Sequence, residues 1–357
     1  MYHVKEEVVI VGGGLAGLTA AYLLKQEGLN PLVLESIDRI GGRIFTKNLG
    51  KQSYELGATW VFQDQLLKQL ISTLELSLYP QYLNGDALVK YDPSMSIKRN
   101  PTEALMNGAI YHKVKGGTGA IIKALSHQLD ESRILLDKRV VAINYPGEDI
   151  TLSIEDGSMI TANKVIMAIP PKVISGQIKI TPSIDHQQVM ESTHTWMGDS
   201  TKFTVLFDQD YWRMNNLSGF VYSNYGLIRE IQDHSNDESF GLLGFMQPMG
   251  ELAMNFEKRK ELVIRELNEL FGIRSENILG YDDFLWVNHF VDDHQTNYNE
   301  GMIPHQNNGH HLLRTPLHDG KLIMGGSETA QCFPGYMDGA IEVSKQIAQQ
   351  VIERLKA

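Results

Sequence analysis

The sequence predicts an α/β fold in which a nucleotide-binding domain of parallel strands is interleaved with an α+β domain of mixed, mainly antiparallel sheet. Three features support this prediction. The chain opens with an apolar strand that runs into glycines and a helical pattern, glycine-rich segments beside strands and helices recur later, and strand-like stretches dominate the region between them. The 357 residues are enough for two domains.

The first element is a βαβ unit with a glycine motif at its first turn. Residues 8–11 are typical of a buried parallel strand, residues 15–23 carry apolar side chains at helical spacing, and residues 31–34 predict a second strand that ends on Glu35. The turn has glycine at the three positions of G-x-G-x-x-G, namely Gly12, Gly14 and Gly17. This complete context favours a Rossmann-type dinucleotide site over a plain turn.

Each glycine of the motif has a mechanical role. Gly12 permits the tight turn out of the strand, Gly14 lets a pyrophosphate approach the backbone, and Gly17 lets the helix lie close to the strand. The N-terminus of the helix then offers free N–H groups and a partial positive charge to the phosphates. Glu35 stands where a carboxylate accepts hydrogen bonds from a ribose.

Two further segments indicate close contact with a bound group. The paired glycines Gly41 and Gly42 let the backbone turn close to that group, and Arg43 can reach a phosphate. In the segment 54–60, glycine followed by alanine indicates that something bulky lies near the backbone, and Trp60 either borders a ring system or belongs to the core.

The chain then leaves the first domain and returns to it. A helix is predicted at 64–78, and weak periodicity with several turn signals marks an excursion over 80–112. The return is marked by a glycine-rich turn, by a helix at 120–129 and by strands, which are predicted at 134–143, 151–154 and 165–169.

The second domain is predicted mainly as antiparallel sheet with one helix, 256–271, packed against it. Its strands are predicted at 202–207, 219–223, 227–231, 240–245 and 284–290. A final strand at 321–326 and a last helix, which 333–340 opens with Asp338 at its N-terminus, complete the first domain. The predicted boundaries are 1–79, 113–172 and 319–357 for the nucleotide-binding domain, and 80–112 and 173–318 for the second domain.

Composition narrows the class of protein. The net charge is −11 and no long basic run occurs, so nucleic acid is a poor candidate partner. The single cysteine, Cys332, excludes an intrachain disulfide and favours a reducing, cytoplasmic compartment. The first strand begins too early to leave room for a signal peptide, and no apolar run reaches transmembrane length, so we expect no membrane association. No spacing typical of a metal site occurs, and we expect no metal.

Lys202 is the one charged residue in an otherwise apolar strand. Phe203, Val205 and Phe207 alternate on one face of that strand, and Lys202 shares the other face with Thr204 and Leu206. From the pattern alone, this is a lysine at a strand end that reaches water along the surface.

Four blocks together resemble the flavin-containing amine oxidases, the group of monoamine and polyamine oxidases. They are the opening unit continued through 39–43 and 56–60, and the segments 114–119, 165–171 and 325–340. The last block is the most specific, because Gly-Tyr-Met-Asp-Gly-Ala follows Gly-Ser-Glu-Thr-Ala in it. A weaker fifth block, 197–202, is similar to the family segment that ends in the lysine holding a water against flavin N5.

The resemblance implies bound FAD and a set of site residues. The cofactor-binding residues it implies, together with those of the glycine motif, are Gly12, Gly14, Leu15, Ala16, Gly17, Glu35, Ser36, Gly41, Gly42, Arg43, Gly57, Ala58, Thr59, Val140, Trp286, Gly326, Glu328, Tyr336 and Met337. The catalytic residues it implies are Lys202 and Tyr336, and Lys202 needs a pKa that can be lowered. The substrate-binding residues are Trp60, Phe245, Thr296 and Tyr336.

The chain also departs from the family pattern. The cysteine that tethers flavin in monoamine oxidases would fall near Gln295, where no cysteine stands, so we expect non-covalent flavin. The second aromatic wall of the substrate cage would fall near Thr296, so the cage is incomplete. The chain is shorter than a typical member, with the loss expected in the excursion, and the apolar membrane tail at the C-terminus is absent.

The favoured function is oxidation of an amine C–N bond by hydride transfer to flavin N5, with oxygen as acceptor and with imine and hydrogen peroxide as products. Two alternatives remain open: a carbon–carbon desaturase or isomerase on the same fold, and a flavin-binding module without turnover. The expected partner is a small molecule, an amine in the favoured reading, and a homodimer remains open.

Overall fold

The computed structural model describes residues 5–49, 52–63, 65–247, 255–290 and 302–356. In chain order, the strands are β1 (Lys5–Val11), β2 (Leu32–Leu34), β3 (Thr46–Leu49), β4 (Gln52–Glu55), β5 (Trp60–Val61), β6 (Leu78–Pro80), β7 (Asp86–Lys90), β8 (Lys98–Pro101), β9 (His112–Val114), β10 (Ile134–Leu135), β11 (Val140–Asn144), β12 (Ile150–Ile154), β13 (Met159–Met167), β14 (Lys179–Thr181), β15 (Thr201–Phe207), β16 (Leu217–Ser223), β17 (Ile228–Asp233), β18 (Phe240–Met246), β19 (Ile278–Leu285) and β20 (Leu322–Met324).

The helices differ widely in length, from single turns to the long C-terminal one. In chain order, they are α1 (Leu15–Gln26), α2 (Gln65–Thr73), α3 (Thr102–Met106), α4 (Gly119–His127), α5 (Pro171–Gln177), α6 (Gln187–Glu191), α7 (Tyr211–Met214), α8 (Phe256–Phe271), α9 (Val287–Phe290) and α10 (Met337–Lys356). Among the described residues, no helix combines the length and the apolar composition needed to cross a bilayer.

The first sheet is built around β1, as the glycine motif predicts. Its order is β10-β2-β1-β13-β12-β11-β14, and β20 pairs with β13 as well. β1 is parallel to both β2 and β13. Its apolar run is buried on both faces, with α1, α4 and α10 in the core on one side and other apolar side chains on the other. The sheet is mixed, because β12 is antiparallel to both β11 and β13. Its parallel part consists of β10, β2, β1, β13 and β20, and this part, covered on both faces, is the predicted Rossmann-type arrangement.

Helix α1 lies unusually close to the strand that precedes it. A Cβ added to Gly17 would lie 2.0 Å from the carbonyl oxygen of Gly12, so only glycine permits this approach. On its other side α1 packs against α10, and the Ser344 hydroxyl of α10 donates to the Ala16 carbonyl at 2.7 Å. The first and last helices of the chain therefore cover the same face of the sheet.

The second sheet is mainly antiparallel, with the order β19-β15-β18-β17-β16-β7-β8. Strands β7 and β8 come from the excursion over 80–112, and β7 pairs with β16 in parallel. Helix α8 has the bounds that its apolar spacing predicts, and its buried face packs on the strands through Val263, Leu267 and Leu270. The predicted fold class is confirmed.

One strand prediction is wrong. The stretch 284–290 was expected as a strand because it is apolar, but β19 ends at Leu285 and α9 follows. The strand forms upstream instead, through residues with charged side chains. Its Asp283 is buried because it pairs with Arg259 of α8, at 2.9 Å between Nη2 and Oδ1. A hydrophobicity pattern does not identify a core position when the residue there is charged and is buried in an ion pair.

The predicted strand 134–143 is also divided, into β10 and β11. Between the two strands Asp137 has a φ of 54° and donates its N–H to the Ile37 carbonyl. Lys138 donates likewise to the Glu35 carbonyl at 2.8 Å. These two hydrogen bonds join the connection between β10 and β11 to the residues that follow β2, at the carboxyl edge of the sheet. The predicted strand is divided at this connection.

Candidate active site

The site begins at the turn between β1 and α1. A Cβ built on Gly14 would be in van der Waals contact with the Gly42 Cα, at 3.7 Å, so two glycine-containing loops face each other here without side chains between them. Gly41 donates its N–H to the Gly13 carbonyl at 2.8 Å, which holds the loops together. The first turn of α1 carries no acidic residue and no side-chain cap, so its N–H groups are suited to an anion. A turn without side chains at a free helix N-terminus suits a pyrophosphate.

Glu35 lies at the end of β2 and is buried, with 7% of its surface exposed. Its carboxylate accepts hydrogen bonds from the N–H groups of Gly13 and Ser36, each at 2.8 Å. Glu35, Ser36, Gly12 and Val140 line one cleft beside the carboxyl ends of the strands. The structure thus brings together four of the residues expected at the adenosine end of a dinucleotide. Arg139 also lines this cleft and was not identified from the sequence.

Arg43 and Glu328 form a paired contact between distant parts of the chain. The guanidinium donates to the two carboxylate oxygens at 2.6 and 3.0 Å, and Glu328 is fully buried. Arg43 also donates to the Ser327 hydroxyl at 2.8 Å and to the Trp196 carbonyl at 3.0 Å. A bidentate pair of this kind fixes direction as well as distance, so it joins the loop after Gly42 to the segment before α10.

The segment 57–59 lies against the Arg43 loop. A Cβ added to Gly57 would lie 2.4 Å from the Arg43 carbonyl oxygen, and Ala58 donates its N–H to that same oxygen at 3.0 Å. The Gly57 carbonyl accepts a hydrogen bond from Lys202 Nζ at 2.5 Å. Thr59 accepts a second hydrogen bond from the same ammonium group. Lys202 of the second sheet is thereby attached to the nucleotide-binding part.

Lys202 is buried, with 1% of its surface exposed, so it does not reach water along the surface. Its Nζ lies 5.0 Å from the ring centroid of Trp60 and 5.6 Å from that of Phe245. The two rings are 6.1 Å apart. The predicted pair of substrate-binding aromatic residues therefore surrounds the predicted catalytic lysine.

Burial lowers the pKa of Lys202 to about 8. The carboxylates of Glu55 and Glu230 act in the opposite direction, and the ammonium of Lys113 adds to the lowering. A group with this pKa exchanges its proton near neutral pH, which is the range in which acid–base catalysis is effective.

Tyr336 lies in a separate aromatic group with two residues that were not identified from the sequence. Its ring centroid is 5.5 Å from that of Trp196 and 5.4 Å from that of His305. Trp196 and His305 are stacked, with centroids 3.9 Å apart. Trp196 directly precedes the block 197–202 and was available as a signal, whereas nothing in the sequence pattern marked His305. Met337 begins α10, next to this group.

Trp286 and Thr296 are two predicted site residues that are not among the groups described above. Trp286 is buried, donates from Nε1 to the Leu56 carbonyl at 2.8 Å and packs on Phe284, so it supports the backbone just before Gly57. Thr296 lies outside the described residues, as does Gln295. Among the residues the structure covers, no cluster of three or more metal-ligating side chains is found.

The amino-acid sequence is similar to those of flavin-containing amine oxidases. The family described as flavin containing amine oxidoreductase matches residues 15–94 and 90–352. The chain is 23% identical to a probable flavin-containing monoamine oxidase A of Dictyostelium discoideum, over 98% of each chain. It is 22% identical to a putrescine oxidase of Kocuria rosea, over 98% of this chain and 95% of that one. The first of these alignments extends over 457 residues, so the relative has insertions that this chain lacks.

Solved structures have the same fold. Cyclohexylamine oxidase of Brevibacterium oxydans superposes with a TM-score of 0.84 at 18% identity, over 99% of this chain and 100% of that one. A wild-type putrescine oxidase bound to putrescine superposes with a TM-score of 0.79 at 19% identity, with the same coverage.

The lowered pKa of Lys202 predicts a pH-dependent stability. Between pH 8 and about 10.4, the folded protein has lost the Lys202 proton while the unfolded chain retains it, so stability rises with pH over this window. Lys202→Met removes this contribution. We expect the free energy of unfolding of the wild type, relative to the variant, to rise by up to about 3 kcal/mol between pH 8 and 10. Denaturant titrations of both proteins measure it, and parallel pH curves would contradict it.

Proposed function

The chain belongs to the flavin containing amine oxidoreductase family, and from this premise we propose that it is an FAD-dependent oxidase that oxidises the C–N bond of an amine. The observation that carries the proposal is the environment of Lys202. A buried ammonium group is held on the Gly57 carbonyl and is bordered by Trp60 and Phe245, next to two loops shaped for a nucleotide.

The residues present fit FAD. The turn at Gly14, which carries no side chain, suits the pyrophosphate, the α1 N-terminus suits its charge, and the anchored carboxylate of Glu35 suits a ribose. The further residues that would hold the cofactor are Gly12, Leu15, Ala16, Gly17, Ser36, Gly41, Gly42, Arg43, Gly57, Ala58, Thr59, Val140, Gly326, Glu328, Tyr336 and Met337. Trp286 would support the cofactor site indirectly, because its Nε1 donates to the Leu56 carbonyl and so holds the backbone next to Gly57.

We further propose that the flavin is not covalently tethered. The one cysteine in the sequence, Cys332, is exposed, and its backbone N–H donates to Glu342 at 2.8 Å. The position that carries the tether in monoamine oxidases has no cysteine here. A single unpaired cysteine also supports a cytoplasmic location, where thiols stay reduced.

The bound flavin would take up a hydride equivalent from the α-carbon of the amine and pass two electrons to oxygen, which gives imine and hydrogen peroxide. The protein contributes positioning and proton control. Tyr336, 38% exposed and packed beside Trp196, offers an aromatic face to the apolar part of a neutral amine. Trp60 and Phe245 exclude water from the other part of the site.

Lys202 has two roles in this proposal. Its hydrogen bonds to Gly57 and Thr59 fix its position, and its ammonium places a positive charge where negative charge develops as oxygen is reduced. The pKa of about 8 allows the group to give up and regain its proton during turnover. A water held by Lys202, as in the family, would complete the proton path.

The function is tested by anaerobic mixing of the flavin-loaded protein with primary, secondary and diamine compounds. We expect at least one amine to bleach the flavin absorbance, and oxygen to restore it with release of hydrogen peroxide. Reduction by a cyclic or polyene substrate and by no amine would replace the proposal with carbon–carbon desaturation. A flavin that no organic donor reduces would indicate a binding module.

Replacing Glu35 by alanine should weaken the retention of FAD. The change removes charge-assisted hydrogen bonds to the ribose, at a cost of about 1–3 kcal/mol. Gel filtration followed by absorbance measures the flavin that remains bound. Unchanged retention in the Glu35→Ala variant would make Glu35 a purely structural acid.

The non-covalent flavin has its own test. Acid precipitation of the wild type should leave the flavin in the supernatant, and flavin in the pellet would mean a covalent link.

Lys202→Met should leave folding and FAD binding intact and slow the reoxidation of dithionite-reduced enzyme by at least about tenfold, or about 1.4 kcal/mol. The wild-type rate should fall as pH rises through about 8, because Lys202 then loses its charge. The variant should lack this pH step. Stopped-flow mixing with oxygen tests both without knowledge of the substrate. Equal rates for the two proteins would remove Lys202 from the oxidative half-reaction.

A further inference from the structure

A small polar cavity lies beside Thr59, between β4, β6 and β9 and the segment that follows β17. It is lined by residues from five parts of the chain, which are Ser53, Glu55, Thr59, Tyr79, Lys113, Val114, Gly116, Gly117, His234 and Asn236. It has room for a water molecule and is open on one side. The proposed reaction as described above uses none of these residues except Thr59.

The cavity wall holds ionisable groups that are almost completely buried. Glu55, with 1% of its surface exposed, accepts hydrogen bonds from the Thr118 hydroxyl, at 2.9 Å, and from Thr46. Lys113, with 2% exposed, donates to the Asp233 carbonyl at 3.0 Å. His234, with 3% exposed, approaches the Ser53 carbonyl with Nε2 at 3.1 Å.

One polar atom in this wall remains unsatisfied. His234 Nδ1 is buried and has no hydrogen-bond partner among the described residues. Burying such an atom costs free energy unless a water or another group meets it. A polar cavity beside an unsatisfied buried nitrogen is the usual setting of an ordered water molecule.

The cavity is connected to Lys202 through Thr59. Thr59 lines the cavity, and its hydroxyl accepts a hydrogen bond from the Lys202 ammonium and donates one to the Gly57 carbonyl at 3.1 Å. Lys202 itself is only 1% exposed, so it has no direct contact with bulk water through which to exchange a proton. The route through Thr59 leads from this buried ammonium to a space that opens to solvent.

We propose that this cavity holds the water through which Lys202 exchanges protons with solvent, that Thr59 is the hydroxyl link, and that Glu55 is a positioning residue that keeps Lys202 charged. In each transfer one N–H or O–H bond breaks and another forms. The Thr59 O–H first turns from the Gly57 carbonyl toward the cavity water. A proton then leaves the ammonium, the hydroxyl oxygen accepts it while releasing its own proton to that water, and the water passes a proton to solvent. No atom changes its oxidation state in these steps. The inference rests on the proposed function, which needs a titrating Lys202.

The charged and titratable groups around Lys202 come from several elements. Glu55 of β4 and Glu230 of β17 favour the charged form of Lys202, whereas Lys113 of β9 opposes it. Burial raises the pKa of both carboxyl groups, and the Lys202 ammonium acts against that rise, so the lysine and each carboxyl group favour the charged form of the other. His234 lies just after β17, and burial lowers its pKa to about 3, so it stays neutral. Burial of Tyr79 of β6 raises its pKa, so it stays neutral too. Glu55 is the larger of the two favourable contributions.

The register of the second sheet places Glu230 two strands away from Lys202. Lys202 lies opposite Phe245 on β18, and Phe245 lies opposite Glu230 on β17, so a phenylalanine side chain separates the two charged groups. Glu230 also accepts a hydrogen bond from the Gln232 side chain at 2.6 Å. Glu55→Gln should therefore affect Lys202 more than Glu230→Gln does.

The first test is a titration of Lys202 in the oxidised, flavin-loaded protein by NMR of 15N-labelled lysine side chains, with Lys202→Met used to assign the signal. Glu55→Gln should lower the pKa of Lys202 by at least about one unit, and Glu230→Gln should lower it less. Glu266→Gln is the matched control, because Glu266 is a buried carboxylate on α8 that contacts the Leu227 N–H on the other face of the sheet. It should leave the Lys202 pKa in place. An unchanged pKa in Glu55→Gln would overturn the role of Glu55.

The second test uses Thr59 and does not depend on the folding of the Glu55 variant. Thr59→Val removes the hydroxyl and keeps the shape, and it should slow hydrogen exchange of the Lys202 ammonium with water by about tenfold. Thr59→Ser restores the hydroxyl and should exchange close to the wild-type rate. Equal exchange in the valine and serine variants would overturn the route through Thr59.

Failure of this inference is distinguishable from failure of the proposed function. Both NMR readouts are taken without turnover, so they report on Lys202 even if no amine reduces the flavin. If an amine bleaches the flavin and Glu55→Gln leaves the Lys202 pKa unchanged, the function stands and the cavity has no part in it. If Glu55→Gln shifts the pKa and no amine is oxidised, the cavity contacts are real and the proposed reaction is wrong.

Discussion

The arrangement of the site depends on the hydrogen bonds that offset the burial of one charged group, the Lys202 ammonium. Lys202 is taken out of water in the middle of the molecule, and an ammonium group without partners in such a place would cost several kcal/mol (of the order that continuum arguments give for a buried ion). Its partners come from another part of the fold, namely the Gly57 carbonyl and the Thr59 hydroxyl. The second sheet and the nucleotide-binding part are therefore held in a defined relative position at the point where chemistry is proposed.

The same region shows how backbone contacts replace side-chain contacts at the proposed nucleotide site. The Gly57 segment lies so close to the Arg43 loop that a Cβ would not fit, and that loop in turn lies on the Gly14 turn. Glycine at these positions therefore brings three backbone segments together. The Arg43–Glu328 pair then fixes these segments to the segment before α10. The pair is bidentate and its carboxylate, Glu328, is fully buried, so water does not readily replace either partner.

The site is divided between two groups of aromatic residues. Trp60 and Phe245 surround the lysine, and Trp196, His305 and Tyr336 form a stack elsewhere. The two groups have different surroundings, because the first is closed by the second sheet and Tyr336 is partly exposed. The carbonyl of Trp196 accepts a hydrogen bond from Arg43, so the stack is attached to the nucleotide loops through the main chain.

The sequence by itself determined the fold class and the βαβ unit, because strand periodicity and glycine spacing act locally. It also predicted the residues of a nucleotide site, and the structure brings four of them, Gly12, Glu35, Ser36 and Val140, together around one cleft. It did not determine β19, where an Arg259–Asp283 pair buries charged residues that a hydrophobicity pattern assigns to the surface. Trp196 and His305 were also missed, since their stacking with Tyr336 joins residues that are far apart in the chain. For Lys202, alternation placed it on the correct face of its strand, but only the tertiary structure decided that this face is buried. A local pattern reports which side chains share a face, whereas the partners that cover that face come from distant segments.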